Sequence, residues 1–240
     1  MTLIVAIPAS DGVVFGSDSQ ITAEPIRFTG RKIHELNKRA MWSASGELAL
    51  IQRVQEKLGG FTRKDQPLTA VRDDLANLIK TAVEEIVRLD FRTQFFTGDP
   101  DTLLKLHPGD FIFVEYQDGA RILHITSYGT PEWIEWGFAA TGIGDVFAYT
   151  LLAKYAGIPL TCERAKLLAY KVIEEAINVG SYGLGPPIDI WEVGRDGSKQ
   201  VSQEEIAALE DAARLLRGAE VELLAPKPLQ EPAGPAQAAE

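Results

Sequence analysis

The chain has 240 residues, enough for one large domain or two small ones, and its composition of 45% hydrophobic and 24% charged residues is that of a globular protein with a sizeable core. Its net charge of −10 argues against a nucleic-acid or anionic-membrane partner, because both need clustered positive charge. The single cysteine, Cys162, excludes an internal disulfide and a multi-cysteine zinc site. No apolar run approaches the roughly 20 residues of a membrane span, and no signal peptide is recognisable, so we expect a cytoplasmic protein.

The first part of the chain predicts two β-hairpins. Apolar, β-branched strands over residues 2–7 and 13–16 flank the turn signal Asp11-Gly12. A second pair of strands, over residues 32–36 and 40–45, flanks the polar turn Asn37-Lys38-Arg39. Near-continuous apolarity in the first strands predicts that both of their faces are buried.

Helical periodicity follows, and then strands and helices return in groups. Helices are predicted over residues 47–58, with Ser45 as N-cap, and over 67–92. Further along, we expect strands over 110–116, 121–128 and 133–140, helices over 145–155 and 161–179, and a strand over 188–193. A last helix over 202–217 begins with Ser202 and Glu205 at capping-box spacing.

Grouped strands and grouped helices predict an α+β fold, a four-layer αββα sandwich of two antiparallel sheets between helical layers. The expected organisation is one domain over residues 1–201, an extra C-terminal helix over 202–217, and a flexible tail over 218–240. The tail is rich in Ala, Pro, Glu and Gln, a composition that is typical of disorder.

Thr2 is the first residue with chemical significance. Initiator methionine is usually removed before a small residue, and its removal here would expose a threonine with a free α-amine. That amine titrates near pH 8, so it can act as the base that activates the hydroxyl of the same residue. The alternative is that Thr2 is simply the first residue of a buried strand.

Asp18 and Lys32 are charges within or at the ends of apolar strand patterns. Because unpaired burial of either charge is costly, we expect them to face each other or the chain terminus. Lys32 near the Thr2 amine would lower the pKa of that amine by like-charge repulsion. Two unrelated strand-end charges in solvent are the alternative.

Gly46 lies between a predicted strand and a predicted helix. The first N–H groups of a helix have no internal partners, and glycine lets a carbonyl approach closely, so the Gly46 N–H is a candidate oxyanion donor. Plain helix capping by Ser45 and Gly46 is the alternative.

Together these residues resemble the β-type subunits of the proteasome family and their HslV-like bacterial relatives, which are threonine peptidases of the N-terminal-nucleophile superfamily. The resemblance covers about residues 2 to 195 and rests on an ordered set of short motifs. These are Thr2-Leu3-Ile4-Val5, Gly16-Ser17-Asp18, Arg31-Lys32-Ile33, Ala44-Ser45-Gly46, Ala140-Thr141-Gly142-Ile143-Gly144 and Pro187-Ile188-Asp189-Ile190.

The resemblance implies Thr2 as nucleophile and base, Asp18 and Lys32 as its electrostatic partners, and Gly46 as oxyanion donor. It implies that the substrate strand binds at Thr22, beside a mostly apolar pocket at Ile21, Ala44 and Leu48. It also implies a protein or peptide substrate, a homo-oligomeric ring and no cofactor or metal. Whether an unfoldase partner exists is left open.

The sequence departs from the family pattern at two places. Ile143 stands where the family has a serine close to the nucleophile, and an aspartate and serine expected before the last strand are missing, with Ser181 the nearest polar residue. Two alternatives therefore stay open: an amidohydrolase or transpeptidase that acts on a different amide with the same nucleophile, and a proteasome-like homologue without catalytic activity.

Overall fold

The computed structural model describes residues 1–23, 26–91, 108–179 and 183–225. Within these residues the chain forms twelve strands, numbered in chain order: β1 (Leu3–Pro8), β2 (Gly12–Asp18), β3 (Gln20–Ala23), β4 (Ile26–Thr29), β5 (Ile33–Asn37), β6 (Ala40–Gly46), β7 (Gly109–Tyr116), β8 (Ala120–Thr126), β9 (Pro131–Trp133), β10 (Ala139–Gly142), β11 (Ile188–Gly194) and β12 (Gly197–Gln200).

Five α-helices accompany these strands in the described part of the chain: α1 (Leu48–Gly59), α2 (Leu68–Phe91), α3 (Asp145–Leu152), α4 (Cys162–Asn178) and α5 (Gln203–Leu224). A short 3₁₀ turn, Ala153–Tyr155, follows α3 directly. No helix in these segments is both long and apolar enough to cross a membrane.

Two five-stranded antiparallel sheets organise the molecule. The first sheet has the strand order β10-β1-β2-β11-β12 and the second has the order β5-β6-β7-β8-β9. The predicted hairpins β1–β2 and β5–β6 are both present. Strands β3 and β4 pair only with each other, as a small hairpin outside the two sheets.

Three apolar clusters show how the layers stack. The first joins the outer face of the first sheet to α3 and α4, the second joins the outer face of the second sheet to α1 and α2, and the third lies between the sheets. Strand β1 contributes to two of them, because Leu3 and Val5 face the helices whereas Ile4 and Ala6 face the other sheet. The predicted αββα sandwich is therefore confirmed.

Two predicted elements differ from the structure near glycines. The strand predicted over residues 133–140 is two strands in different sheets, β9 and β10, and the chain turns between them at Gly137, whose φ is +99°. Helix α1 begins after Glu47, so Ser45 is not its N-cap but part of β6. Hairpin β3–β4 and strand β12 were not predicted.

The C-terminal helix α5 is longer than predicted. Its N-terminus carries the expected capping box of Ser202 and Glu205, but the helix continues through Gly218 to Leu224 instead of ending at residue 217. It docks on α4 through ion pairs, among them Lys171 with Glu220 at 3.2 Å. Residues 218–224 of the predicted tail are thus helical, whereas residues 226–240 lie outside the described residues.

Candidate active site

A buried ion pair lies at the start of the first strand. Lys32 Nζ donates a hydrogen bond to Asp18 Oδ1 over 2.7 Å, and Asp18 is fully buried. Lys32, only 8% exposed, also donates to the carbonyl oxygen of Met1 over 3.1 Å. Burial lowers the pKa of Lys32 below its usual 10.5, and the Asp18 carboxylate opposes this shift. The structure thus brings Asp18 and Lys32 to the peptide bond that precedes Thr2.

The Asp18 carboxylate gathers hydrogen bonds from four parts of the chain. Besides Lys32 Nζ, its Oδ1 accepts from the backbone N–H of Leu3 at 2.9 Å. Its Oδ2 accepts from the backbone N–H groups of Gln20 and Gly185, both at 3.2 Å. Charge-assisted hydrogen bonds of this kind are strong, and together they fix the carboxylate relative to the four donor residues.

Thr2 itself is half-buried and is held by its backbone. Leu3 pairs with Gly142 across β1 and β10, and Gly142, at φ +103°, lies so close that a Cβ there would overlap the carbonyl oxygen of Thr2. Burial lowers the pKa of the terminal amine of Met1, the Lys32 charge lowers it further, and Asp18 acts in the opposite direction. The terminal amine beside Lys32 therefore gives up its proton at lower pH than a free α-amine does.

Gly46 is the exposed last residue of β6, just before α1. Its φ of +123° is a conformation that suits glycine, and a Cβ would overlap the carbonyl oxygen of Pro108. That same carbonyl accepts the Glu47 N–H at 2.9 Å, so the strand-to-helix junction is held by the residue before β7.

The four residues predicted to bind substrate lie on two elements. Ile21 and Thr22 are half-buried on β3. Ala44, near the end of β6, is 5% exposed and packs in the cluster beneath α1 and α2, whereas Leu48 at the start of α1 is 44% exposed. The assignment of these residues to a substrate pocket stays a prediction.

His34, in strand β5, packs against an aromatic side chain and is partly buried. Its ring stacks on Trp42 with 4.8 Å between the ring centroids. Burial and then the charge of Arg31 lower the pKa of His34 to about 4, so the ring is neutral at physiological pH.

Several contributors to the site were not predicted from the sequence. Gln20 Nε2 donates to the carbonyl of Gly183 at 2.7 Å and lies 3.4 Å from the hydroxyl of Thr22, so it ties β3 to the 183–185 segment. That segment supplies the Gly185 N–H to Asp18. It is also the stretch in which this sequence lacks the aspartate and serine of the family pattern. A backbone donor has no side-chain signature in the sequence, and Ser181 lies outside the described residues.

A pair of hydroxyl groups links the two sheets beside the site. Ser45 Oγ and Thr141 Oγ1 are 2.7 Å apart, and both side chains are about 4% exposed. Next to them, Ser43 Oγ donates to the backbone carbonyl of Lys32 at 2.7 Å. Ile143, directly after Gly142, is 48% exposed.

Comparison with known proteins places these features in a family context. No family model matches the chain. Proteasome subunit beta 2 of Nitrosopumilus maritimus is 25% identical over 215 residues, with 87% of this chain and 93% of the relative covered. Proteasome subunits beta 1 of Pyrococcus abyssi and Pyrococcus furiosus are 26% and 25% identical over 210 residues, with 83% of this chain and 94% and 95% of the relatives covered.

Solved structures share the same fold. Anbu, the ancestral beta-subunit, from Yersinia bercovieri superposes with a TM-score of 0.71 at 14% identity and covers 95% of this chain and 99% of its own. The Anbu (Gly-1) mutant from Hyphomicrobium sp. strain MC1 has a TM-score of 0.71 at 16% identity, with 96% and 100% covered. The chain is a divergent proteasome-like homologue that has the proteasome β-subunit fold.

Proposed function

We propose that this protein is an N-terminal-nucleophile hydrolase that cleaves peptide bonds with Thr2 after removal of Met1. The observation that carries the proposal is the buried Asp18–Lys32 pair, whose ammonium group lies 3.1 Å from the carbonyl of Met1 and so reaches the Met1–Thr2 peptide bond. Loss of Met1 turns that peptide nitrogen into a free amine within the reach of Lys32. The homology to proteasome β subunits supports the same chemistry.

The proposed reaction proceeds in two steps. The Thr2 hydroxyl attacks the substrate carbonyl while the α-amine accepts the hydroxyl proton. The Gly46 N–H stabilises the oxyanion, the protonated amine gives its proton to the departing amine, and the C–N bond breaks to leave an ester on Thr2. Water then attacks this ester with the α-amine again as base, which releases the acid and restores the hydroxyl.

Lys32 and Asp18 have distinct roles in this scheme. The ammonium group of Lys32 lowers the pKa of the neighbouring amine by like-charge repulsion and so keeps it in its basic form. Asp18 compensates the buried charge of Lys32 and, through the N–H of Leu3, orients the residue after the nucleophile.

In the chain that retains Met1, this residue lies close to Thr22, where the substrate strand is proposed to bind. A Cβ at Gly183 would come within 3.0 Å of the Met1 sulfur and 3.2 Å of the Thr22 hydroxyl oxygen, so these two atoms lie on the same side of Gly183. Removal of Met1 would therefore free both the amine of Thr2 and the space beside the proposed substrate strand.

The test is intact mass before and after treatment with an epoxyketone, a reagent that reacts with both the hydroxyl and the amine of a terminal threonine. We expect a mature chain that lacks one methionine and gains one reagent. Thr2→Ala is the matched control: alanine also permits methionine removal, and this variant should stay unlabelled. A chain that retains Met1, or a labelled Thr2→Ala variant, would refute the assignment.

Ile143 favours a second candidate, a proteasome-like protein without hydrolytic activity, because an exposed apolar side chain follows Gly142. A mature but unlabelled wild-type chain would support it. Turnover of small amides with no cleavage of peptides or unfolded proteins would instead favour an amidohydrolase or transpeptidase.

We further propose that the chain assembles into a homo-oligomeric ring, in keeping with the proteasome subunits among its relatives. Apolar side chains are exposed beside the site, at Ile143 shortly before α3 and at Val146 and Phe147 in its first turn. Native mass spectrometry tests this directly, since a ring gives one closed stoichiometry and a monomer at micromolar concentration would contradict it.

A further inference from the structure

The hydroxyl pair of Ser45 and Thr141 connects the two sheets, which also meet through an apolar cluster and through the Asp18–Lys32 pair. Ser45 belongs to β6 in the second sheet, and Thr141 belongs to β10 in the first. Thr141 pairs with Ile4 across the ladder and so shares its face, which is the face that meets the other sheet. The 2.7 Å hydrogen bond therefore spans the gap between the sheets.

Each hydroxyl residue directly precedes a glycine that matters to the proposed site. Ser45 precedes Gly46, the proposed oxyanion donor, and Thr141 precedes Gly142, which packs against the carbonyl of Thr2. Both glycines have φ above +100°, a conformation that suits glycine, and each directly follows one member of the hydroxyl pair. One hydrogen bond thus joins the two backbone segments between which a substrate carbonyl must fit.

We propose that the Ser45–Thr141 hydrogen bond is a positioning element that sets the separation between the Thr2 nucleophile and the Gly46 oxyanion donor. This inference rests on the proposed function. A displacement of about 1 Å between reacting groups costs about a hundredfold in rate, and such an effect falls on the chemical step and not on substrate binding.

Because Ser45 and Thr141 are both buried, loss of their hydrogen bond affects the local structure. Removal of one hydroxyl leaves the other buried without its partner, and the local backbone then relaxes to satisfy it. The Asp18–Lys32 pair joins the sheets at β2 and the start of β5, whereas the Ser45–Thr141 bond joins them at β6 and β10, so relaxation of this bond changes the distance between β6 and β10.

The experiment measures the rate of epoxyketone adduct formation at Thr2 by intact mass, as a function of reagent concentration, so that reagent affinity and the maximal rate are separated. We expect Ser45→Ala and Thr141→Val to lower the maximal rate by about ten- to hundredfold with little change in affinity. The double variant should be no slower than either single variant, because both remove the same interaction. Thr141→Ser keeps the hydroxyl and should react within a few-fold of the wild-type rate.

Thr126→Val is the matched control. Thr126 Oγ1 is also buried near the end of a strand, but it has no hydrogen-bond partner among the described residues. It undergoes the same hydroxyl-to-methyl change as Thr141→Val, and its labelling rate should be that of the wild type. If Ser45→Ala does not fold, Thr141→Val and Thr141→Ser still test the inference.

The outcomes separate this inference from the function on which it rests. Labelled wild-type protein with normal maximal rates in Ser45→Ala and Thr141→Val overturns the inference alone, as does a double variant whose losses add. Wild-type protein that matures but stays unlabelled overturns the proposed function and the inference with it.

Discussion

Lys32 donates to the Asp18 carboxylate over 2.7 Å at a place where Asp18 has no contact with solvent. Breaking such a pair on one side leaves an uncompensated buried charge, which costs about 3–5 kcal/mol. We expect Lys32→Met to lower the free energy of unfolding by this amount and to reduce Thr2 labelling by orders of magnitude. Urea denaturation and intact mass measure the two effects.

The controls for this prediction separate the effect of the buried charge on stability from the effect of Lys32 on Thr2 labelling. Lys199→Met removes a lysine whose side chain is 75% exposed, and stability should be nearly unchanged. The double variant Asp18→Asn/Lys32→Met removes both charges and should regain part of the lost stability but none of the labelling. A Lys32→Met variant with wild-type stability or labelling would remove Lys32 from the proposed site.

Gly142→Ala tests the close approach between β10 and Thr2. The new methyl group would overlap the Thr2 carbonyl at a φ of +103°, so the variant should unfold at lower temperature and label more slowly. Gly59→Ala, at the end of α1, is the matched control, since its Cβ meets nothing within 4 Å. Equal melting temperatures for the two variants would contradict the packing described here.

The buried carboxyl of Glu115 predicts a pH dependence of stability. Glu115 is 3% exposed and accepts the backbone N–H of Leu68 at 3.1 Å. Burial raises its pKa above the ordinary 4.5, against the opposing effects of the Leu68 N–H and Arg121. The folded chain therefore holds this proton to higher pH than the unfolded chain, so its contribution to stability is full below pH 4.5 and is lost as pH rises through the folded-state pKa.

Glu115→Gln should remove this dependence while its amide oxygen still accepts from Leu68. We expect the variant to match the wild type in acid and to become the more stable of the two as the pH approaches neutrality. Denaturant midpoints measured at several pH values for both proteins test this. Parallel curves would show that Glu115 does not titrate abnormally.

Cys162 should be inert in the native protein. Burial first, and then nearby Glu192 and Asp11, raise the pKa of its thiol from 9.0 to about 12. Only the thiolate reacts with alkylating reagents, so labelling of the folded chain should be about a thousandfold or more slower than in urea. Rapid labelling without denaturant would mean that the N-terminus of α4 opens readily.

Two truncations test where the packed structure ends. Removal of residues 226–240 should leave the melting temperature unchanged, because the Ala-, Pro- and Glu-rich composition of this segment predicts that it adds no packed structure. Removal of residues 218–240 also deletes Glu220, the partner of the buried Lys171, and should lower the melting temperature by a few degrees. Identical melting temperatures for the two truncations would contradict docking of this end of α5 on α4.

The sequence predicted the parts of the fold and site that depend on side-chain character. Asp18 and Lys32 were recognisable because charges are unusual within apolar strands, and the pairing of β1 with β2 followed from the Asp11-Gly12 turn signal. Their proximity in the structure agrees with that reasoning.

The parts that were missed depend on backbone groups or on packing between distant segments. The N–H of Gly185 serves Asp18, but a backbone donor leaves no residue signature in the sequence. The run from Trp133 to Ala140 is mostly apolar, with Glu135 as its charged residue, so periodicity could not show that the chain turns at Gly137 and enters a different sheet. Ser45 resembled a helix cap because its partner, Thr141, lies 96 positions away in the chain.

The four donors to Asp18 also impose an order in time. Leu3, Gln20 and Lys32 are synthesised early, but Gly185 lies 167 positions after Asp18. Strand β11, which flanks β2, is made later still. A nascent polypeptide therefore cannot complete the surroundings of Asp18, and with them the proposed active site, until it has been synthesised through β11.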